Sequence, residues 1–140
     1  MICSEIMTKD PECCLPSDTV MQAAQLMKSE DVGPIPIVES KDERKLTGIV
    51  TDRDLAIKVV AEARDPKTTQ IEEIMSEGLV TCHENDDIQS VLQLMQDNQI
   101  RRIPVVDKGD HLVGIIAQAD VATRLRSPKA VGKVVEQISE

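Results

Sequence analysis

Apolar residues recur at helical spacing in two parts of the chain, each time just after an acidic residue. The first set follows Asp18 and the second follows Asp86. The two sets are Val20, Ala23, Ala24 and Met27, and Ile88, Val91, Leu92 and Met95. Ser17 or Asp18 in the first copy is suited to cap a helix start, and Asp86 precedes the second set. The spacing therefore predicts two amphipathic helices.

Each predicted helix is followed by two short apolar runs, which predict a pair of strands. The first strand is IPIV at 35–38 in one copy and IPVV at 103–106 in the other. The proline inside each run indicates a strand start or an edge position. After a charged loop, the second strand is predicted at 46–51 and at 112–116.

A further helix is predicted after each strand pair, beginning near Asp52 and near Ala119. A short extended piece precedes each first helix, around 12–15 and 80–83. Both copies therefore have the order strand, helix, strand, strand, helix. The segment between them, RDPKTTQ at 64–70, is polar and contains proline, which is typical of a linker.

The chain is an internal repeat. A shift of 68 residues superimposes 6–38 on 74–106 with ten identities in 33 positions, and past the charged loop the offset becomes 66. One unit of about 60 residues is only marginally stable alone. We therefore expect an α/β (α+β) fold, in which βαββα repeats at 5–63 and 71–127 pack about a pseudo-twofold axis. A tail follows at 128–140.

Composition limits both the core and the partners. The 140 residues include no Phe, Tyr or Trp, so the core must be aliphatic. The net charge is −9, and phosphate neutralisation dominates nucleic-acid affinity, so we expect no nucleic-acid partner. There is no signal-peptide pattern and no run of 18 apolar residues, so we expect a cytoplasmic protein without a membrane partner.

The repeated stretches GIVTDRD and GIIAQAD are the candidates for a ligand site. In each, a glycine and an apolar pair lead to a strand end, and Asp54 or Asp120 falls in the first helical turn. A helix start offers free N–H groups, and a carboxylate accepts hydrogen bonds from two ribose hydroxyls, so this corner suits a nucleotide. The Thr51 hydroxyl can also donate to a phosphate or ribose oxygen, whereas its counterpart Ala117 cannot.

Basic residues near the two corners are candidates for holding a phosphate. They are Lys58, Arg124, Arg101 and Arg102. The first two each follow their aspartate by four positions, on the same helical face. A guanidinium group is well shaped to hold a phosphate. Two readings without a ligand stay open: Thr51 and Asp54 are equally suited to cap a helix, and the basic residues can be solvated surface charges.

Two sets of short motifs occur in the same order along the chain. They are IMT, DTVMQAAQLM, GPIPIV and GIVTDRDL, and then IMS, DDIQSVLQLM, IRRIPVV and GIIAQAD. Together, over roughly residues 5–127, they resemble the tandem cystathionine β-synthase (CBS) domain, also called a Bateman module. The resemblance implies a homodimer that binds an adenosyl ligand (AMP, ADP, ATP or S-adenosylmethionine) and regulates an unknown effector protein, without a cofactor or catalysis of its own.

The resemblance also implies site residues. Thr51 and Asp54 would hold the ribose, and the second corner departs from the family pattern because Ala117 lacks the hydroxyl while Asp120 is kept. Since one hydrogen bond contributes about 0.5–1.5 kcal/mol, we expect a well-equipped first site and a weaker second one. The strands around the Ile-Pro dipeptides would line the adenine pocket with Ile35, Pro36, Ile37, Ile103, Pro104 and Val105.

Other functions stay open. A ligand-free module for dimerisation or docking would show no response to nucleotides. A thiol-based redox or metal-responsive module would use Cys13, Cys14 and Cys82, because Cys14 and Cys82 occupy equivalent repeat positions and His83 adjoins them. The competing interpretation is that free thiols fill apolar space in a reducing compartment. The sequence contains no GxSxG, HExxH or GxxxxGK(S/T) motif, so we expect that the protein is not an enzyme.

Overall fold

The structure is a computed structural model, and it describes residues 1–76 and 79–124. The helices in these ranges are α1 (Cys3–Ile6), α2 (Val20–Glu30), α3 (Asp52–Leu55), α4 (Ile88–Asp97) and α5 (Gln118–Arg124). The strands are β1 (Thr8–Lys9), β2 (Ile35–Val38), β3 (Leu46–Val50), β4 (Cys82–His83), β5 (Arg102–Val106) and β6 (Leu112–Ala117). A π-helical turn at Ala56–Val60 continues α3, and a 3-10 turn occupies Ile71–Glu73. The predicted tail at 128–140 lies outside the described residues.

In the described part of the chain, no helix has both the length and the apolar character needed to cross a membrane.

The helices α2 and α4 are each capped by the residue that follows Asp18 or Asp86. Thr19 caps α2 and Asp87 caps α4, each through a side-chain oxygen that accepts a backbone N–H of the first turn. Asp18 and Asp86 instead accept a hydrogen bond from the backbone N–H three residues earlier, at 2.8 and 2.9 Å. The prediction of a cap at Ser17 or Asp18 was therefore wrong, because Asp18 closes the preceding turn, as Asp86 does in the second repeat.

The strands form a four-stranded sheet in the order β1-β6-β5-β4 and a two-stranded sheet of β2 and β3. Pro36 is the second residue of β2, as a position near the strand start requires. Pro104 instead lies in β5, between two neighbouring strands, so an edge position is wrong for it. The two-residue β4 pairs from Val105 onwards, and the absent N–H of Pro104 therefore removes no hydrogen bond there.

The two repeats exchange their leading segments. β1 pairs with β6, with Thr8 opposite Ile115, so the N-terminal residues complete the sheet of the second repeat. Ser76 forms the equivalent bridge to Ile49 of the first repeat. The residues that pack as one unit therefore differ from those that form one sequence repeat, because each leading segment contributes to the neighbouring unit.

Two aliphatic cores result from this exchange. The core of the second unit contains Cys3, Ile6, Met7, Cys82, Ile88, Val91, Met95, Ile103, Val105, Ile116 and Val121. The core of the first unit contains Cys14, Val20, Ala23, Met27, Ile35, Ile37, Val50, Val59, Ile71 and Ile74. The units meet at a bridge between Lys45 and His111, and a third cluster, of Cys13, Val38 and Leu112, contains residues of both repeats.

The predicted linker at 64–70 packs against the first helix. The carbonyl groups of Thr69 and Pro66 accept the backbone N–H groups of Val20 and Met21, at 2.9 and 3.0 Å. These two N–H groups lie in the first turn of α2 and have no partner within the helix. The linker therefore helps to complete the start of α2, and Thr69 is buried in doing so.

Candidate functional site at the two strand-to-helix corners

In the first corner, Thr51 and Asp54 hydrogen-bond to each other. Thr51 is the N-cap of α3, and its Oγ1 accepts the backbone N–H of Asp54 at 3.1 Å. The Asp54 carboxylate accepts the backbone N–H of Thr51 at 2.9 Å through Oδ2. This reciprocal pair is a capping box, which satisfies two N–H groups that would otherwise lack a partner. Both side chains therefore have a structural role before any ligand is considered.

Lys58 occupies the remaining oxygen of that aspartate. Its Nζ lies 3.3 Å from Oδ1 of Asp54 and donates to the carbonyl oxygen of Ile74 at 3.0 Å. The Asp54 side chain is only 15% exposed. A ribose at this corner would have to compete with Lys58 for Asp54, and the Lys58 side chain is itself 42% exposed.

The second corner is open. Ala117 ends β6 without a side-chain oxygen, and Asp120 is the third residue of α5. Asp120 is exposed, and within residues 1–76 and 79–124 its carboxylate accepts no hydrogen bond. It lines a groove of about 760 Å³, which we call the α5 groove. The groove is lined by Ser4, Glu5, Ile6, Met7, Thr8, Lys9, Asp120, Thr123 and Arg124.

Charges of both signs surround the α5 groove. Lys9 and Arg124 supply two exposed cations, and Glu5 and Asp120 supply two carboxylates. Oε2 of Glu5 accepts the backbone N–H of Ile2 at 3.1 Å. Of the two carboxylates, Asp120 is therefore the one without a hydrogen-bond partner in the described part of the chain. The groove can therefore accept hydrogen bonds at Asp120 and hold a negative charge at Lys9 and Arg124.

The other predicted site residues lie elsewhere. Ile35, Pro36, Ile37, Ile103, Pro104 and Val105 are buried in the strands β2 and β5 and do not line the α5 groove. Arg101 and Arg102 stand at the start of β5, where the carbonyl oxygen of Arg101 accepts the backbone N–H of Gln118 at 2.8 Å. These arginines flank the strand-to-helix corner without lining the groove.

The cysteines do not pair as their repeat positions suggest. Cys14 lies in the core of the first unit and Cys82 in that of the second, so a Cys14–Cys82 site is wrong. These two equivalent positions lie in separate cores, unlike Lys45 and His111, which are also equivalent and form the bridge between the units. Cys82 contacts Cys3 instead, and Cys13 contacts Lys41. Within the described ranges, no three His, Cys, Asp or Glu side chains are arranged to hold a metal ion.

Both histidines lie in a second cavity, of about 510 Å³, at the hairpin loop between β5 and β6. Nδ1 of His111 lies 3.0 Å from Oδ1 of Asp107, which also accepts the backbone N–H groups of His111 and Gly109. The hydrogen bond from the His111 backbone is the main cause that lowers the pKa of Asp107 below its ordinary value. This carboxylate is occupied by its own loop.

Sequence reasoning missed the N-terminal segment as part of the site. Ser4 to Lys9 form one wall of the α5 groove, although they belong to the first repeat in the sequence. The related signal in the sequence is the offset of 68, which makes these residues equivalent to the segment beginning at Glu72. The offset does not indicate which of the two units each leading segment joins.

Two units of helix and sheet, each with an aspartate at the same corner, define a tandem α+β repeat protein. The sequence model of the CBS domain family matches residues 3–61 and again 71–127. The CBS domain-containing protein YhcV of Bacillus subtilis is 39% identical over 135 residues, covering 96% of this chain and 93% of that protein. The chain belongs to the CBS domain family, of which it contains a tandem pair.

Two solved structures share this architecture. The crystal structure of Hypoxic Response Protein I with two coordinated zinc ions is 36% identical, with a TM-score of 0.79, and covers 89% of this chain and 99% of that one. The CBS domain pair of protein MJ0100 was solved in complex with 5′-methylthioadenosine and S-adenosyl-L-methionine. It is 30% identical, with a TM-score of 0.76, and covers 89% of this chain and 95% of that one.

Proposed function

We propose that this CBS domain pair is a regulatory module that binds an adenosyl ligand in the α5 groove. The single observation that carries the proposal is the Asp120 carboxylate, which accepts no hydrogen bond from residues 1–76 and 79–124 and lines a groove of about 760 Å³. This volume is within the range of small-molecule sites in proteins. Asp120 accepts hydrogen bonds from the two ribose hydroxyls in this scheme.

The charges at the rim fit the rest of such a ligand. Lys9 and Arg124 both line the groove and are exposed, so they favour a phosphate group. Glu5 favours a cationic group such as a sulfonium or an amino group. A related CBS pair carries S-adenosyl-L-methionine and 5′-methylthioadenosine, which supports an adenosyl compound here.

The first corner is the less favoured of the two sites in this proposal. Asp54 already accepts the Thr51 N–H and pairs with Lys58, so a ligand has to break an existing interaction there. The sequence predicts that the missing hydroxyl at Ala117 weakens the second site. In this proposal the missing hydroxyl instead favours ligand binding there. Without a threonine to form a capping box, the Asp120 carboxylate stays available.

We also propose that the chain forms a homodimer, which fits the second function left open by the sequence. Ile57 and Val60, in the π-helical turn after α3, are 46% and 76% exposed. Burying two large aliphatic side chains would favour association. Light scattering coupled to size exclusion would show a dimer, and Val60→Asp would shift it towards a monomer. A monomeric wild-type chain would contradict this second proposal.

Equilibrium dialysis tests the ligand proposal directly, because the chain has no aromatic residue and adenine absorbance therefore reports the ligand without interference from the protein. The ligands are AMP, ADP, ATP, S-adenosylmethionine and 5′-methylthioadenosine, with GMP and CMP as controls that also absorb through their bases. We expect at least one adenosyl compound to bind more tightly than about 1 mM and the controls to bind more weakly. Retention of none of the adenosyl compounds would contradict the proposal.

A further inference from the structure

Two cysteine thiols from distant parts of the sequence meet inside the second unit. Sγ of Cys3 in α1 lies 3.8 Å from Sγ of Cys82 in β4. Both residues are buried, with exposed fractions of 0% and 2%. Among the described residues, all four cysteines are free thiols, and this is the one pair with its sulfur atoms in contact.

Backbone hydrogen bonds hold the two sulfur atoms in register. The N–H of Cys3 donates to the carbonyl oxygen of Asp86 at 3.0 Å, and the N–H of Ser4 donates to that of Glu84 at 2.9 Å. These acceptors belong to the turn that directly follows β4. A disulfide needs the sulfur atoms at about 2.05 Å, so the two sulfur atoms must still approach each other by roughly 1.8 Å.

The first unit shows that the fold does not require a thiol at this position. The repeat offset of 68 relates Cys3 to Ile71, and Cys82 to Cys14. Ile71 is fully buried in the first core, where Cys14 also lies. An aliphatic side chain therefore fills the equivalent space, so packing alone does not explain a second sulfur beside Cys82.

The two thiols are also chemically unequal. The hydrogen bond from the Cys82 thiol lowers the pKa of Cys3, because it stabilises the thiolate on that sulfur. The same hydrogen bond, together with burial, raises the pKa of Cys82. The direction of these pKa shifts favours Cys3 as the sulfur that ionises, and the thiolate is the reactive form of cysteine.

We propose that Cys3 and Cys82 are a redox-sensitive pair, which peroxide oxidises to an intramolecular disulfide and a thiol reductant restores. The Cys3 thiolate attacks one oxygen of hydrogen peroxide, breaking the O–O bond and leaving a sulfenic acid at Cys3 and one hydroxide, which takes a proton to become water. Cys82 then attacks the Cys3 sulfur and forms the S–S bond. The sulfenic oxygen leaves as a second water, carrying the proton released by Cys82.

Oxidant reaches the pair through local opening of α1. This helix has four residues, and because so short a helix has little stability of its own, it can open locally at low free-energy cost. Once formed, the disulfide joins residue 3 to residue 82 and holds one wall of the α5 groove against β4. A cross-link across so long a segment restricts the unfolded chain, so the melting temperature should rise by more than about 5 °C.

The test is peroxide treatment of the native full chain, an acid quench, alkylation and peptide mass spectrometry. Cys13 and Cys14 are internal controls, and Cys14→Ala is the matched variant because Cys14 occupies the Cys82 position of the first unit. We expect a Cys3–Cys82 disulfide in the wild type and in Cys14→Ala, reversed by dithiothreitol, and none in Cys82→Ala. Free thiols at both positions after treatment, or disulfides only between molecules, would overturn the proposal. Because the wild-type chain itself gives this result, the test does not depend on the folding of any variant.

Discussion

Thr51 and Asp54 form two hydrogen bonds across the first turn of α3. The backbone N–H of Asp54 donates to Oγ1 of Thr51 at 3.1 Å, and the backbone N–H of Thr51 donates to Oδ2 of Asp54 at 2.9 Å. The second repeat has no such pair, because Ala117 stands where Thr51 does. The same aspartate of the repeat therefore has two different environments. In the first unit it completes a capping box, and in the second its carboxylate faces an open groove.

The capping box predicts a stability effect at Thr51. Replacing Thr51 by Ala removes the acceptor for the Asp54 N–H, and we expect the free energy of unfolding to fall by about 0.5–2 kcal/mol. Thr51→Ser keeps the hydroxyl and should remain close to the wild type. Urea unfolding followed by circular dichroism measures both variants. Equal stability of the alanine and serine variants would mean that the hydroxyl contributes no cap.

Glycines in β3 and β6 allow the leading segments to pack closely. A Cβ atom at Gly114 would lie 2.5 Å from Sδ of Met7 and 3.0 Å from the carbonyl oxygen of Thr8. We expect Gly114→Ala to destabilise the protein by about 1–3 kcal/mol, as overpacking does. Gly48→Ala should behave similarly, because a Cβ there would lie 2.8 Å from Sδ of Met75.

Gly33→Ala is the matched control for these two variants. A Cβ at Gly33 meets only the side chain of Asp52, which is exposed, at 3.2 Å and beyond. That side chain can move aside, so we expect a change in the free energy of unfolding well below that of Gly114→Ala. Thermal unfolding of the three variants in parallel makes the comparison. A Gly114→Ala chain as stable as the wild type would contradict the close packing of Met7 on β6.

Burial of Cys14 predicts a thiol that resists ionisation. Desolvation is the main cause that raises its pKa to about 11, from an ordinary value near 9. Alkylation by iodoacetamide, which consumes the thiolate, should therefore be slow at Cys14 below pH 10 in the native protein. Rates measured by mass spectrometry across this range provide the test. Cys14 modified as fast in native as in unfolded protein would contradict its burial.

The same pKa shift has a consequence for stability. Between about pH 9 and pH 11 the folded chain keeps the Cys14 proton while the unfolded chain loses it. The stabilising contribution is complete below the unfolded pKa and is lost as pH rises through the folded one. Cys14→Ala should therefore lose less of its free energy of unfolding than the wild type when pH increases from 9 to 11.

Much of the fold could be predicted from the sequence, because both copies of the repeat show the same pattern of apolar residues. The strands β2 and β5, and the helices α2 and α4, were predicted from spacing that both copies share. The cap of α2 was predicted at Ser17 or Asp18 and lies at Thr19, because Asp18 is a good capping residue that serves the preceding turn instead. Local propensity does not separate these two uses of one aspartate.

The site was harder to predict than the fold, because its parts come from different units. Met7 and Lys9 join the α5 groove through the exchange of leading segments, which is a long-range contact without a local signal. The partner of Cys82 is also determined by the exchange of leading segments. Cys14 was the natural partner from repeat position, whereas the exchange brings Cys3 to Cys82.

Calorimetric titration of Asp120→Asn and Asp54→Asn, with the adenosyl compound that the wild type binds most tightly, tests the central claim. Both changes remove one negative charge at equivalent repeat positions, so each is the control for the other, and melting curves verify that both fold. Hydrogen bonds to a charged group contribute about 1.5–3 kcal/mol, so we expect Asp120→Asn to weaken binding by about tenfold or more. Asp54→Asn should leave the affinity within about threefold of the wild type. Unchanged binding by Asp120→Asn, or a larger loss in Asp54→Asn, would contradict the assignment of the ligand to the α5 groove.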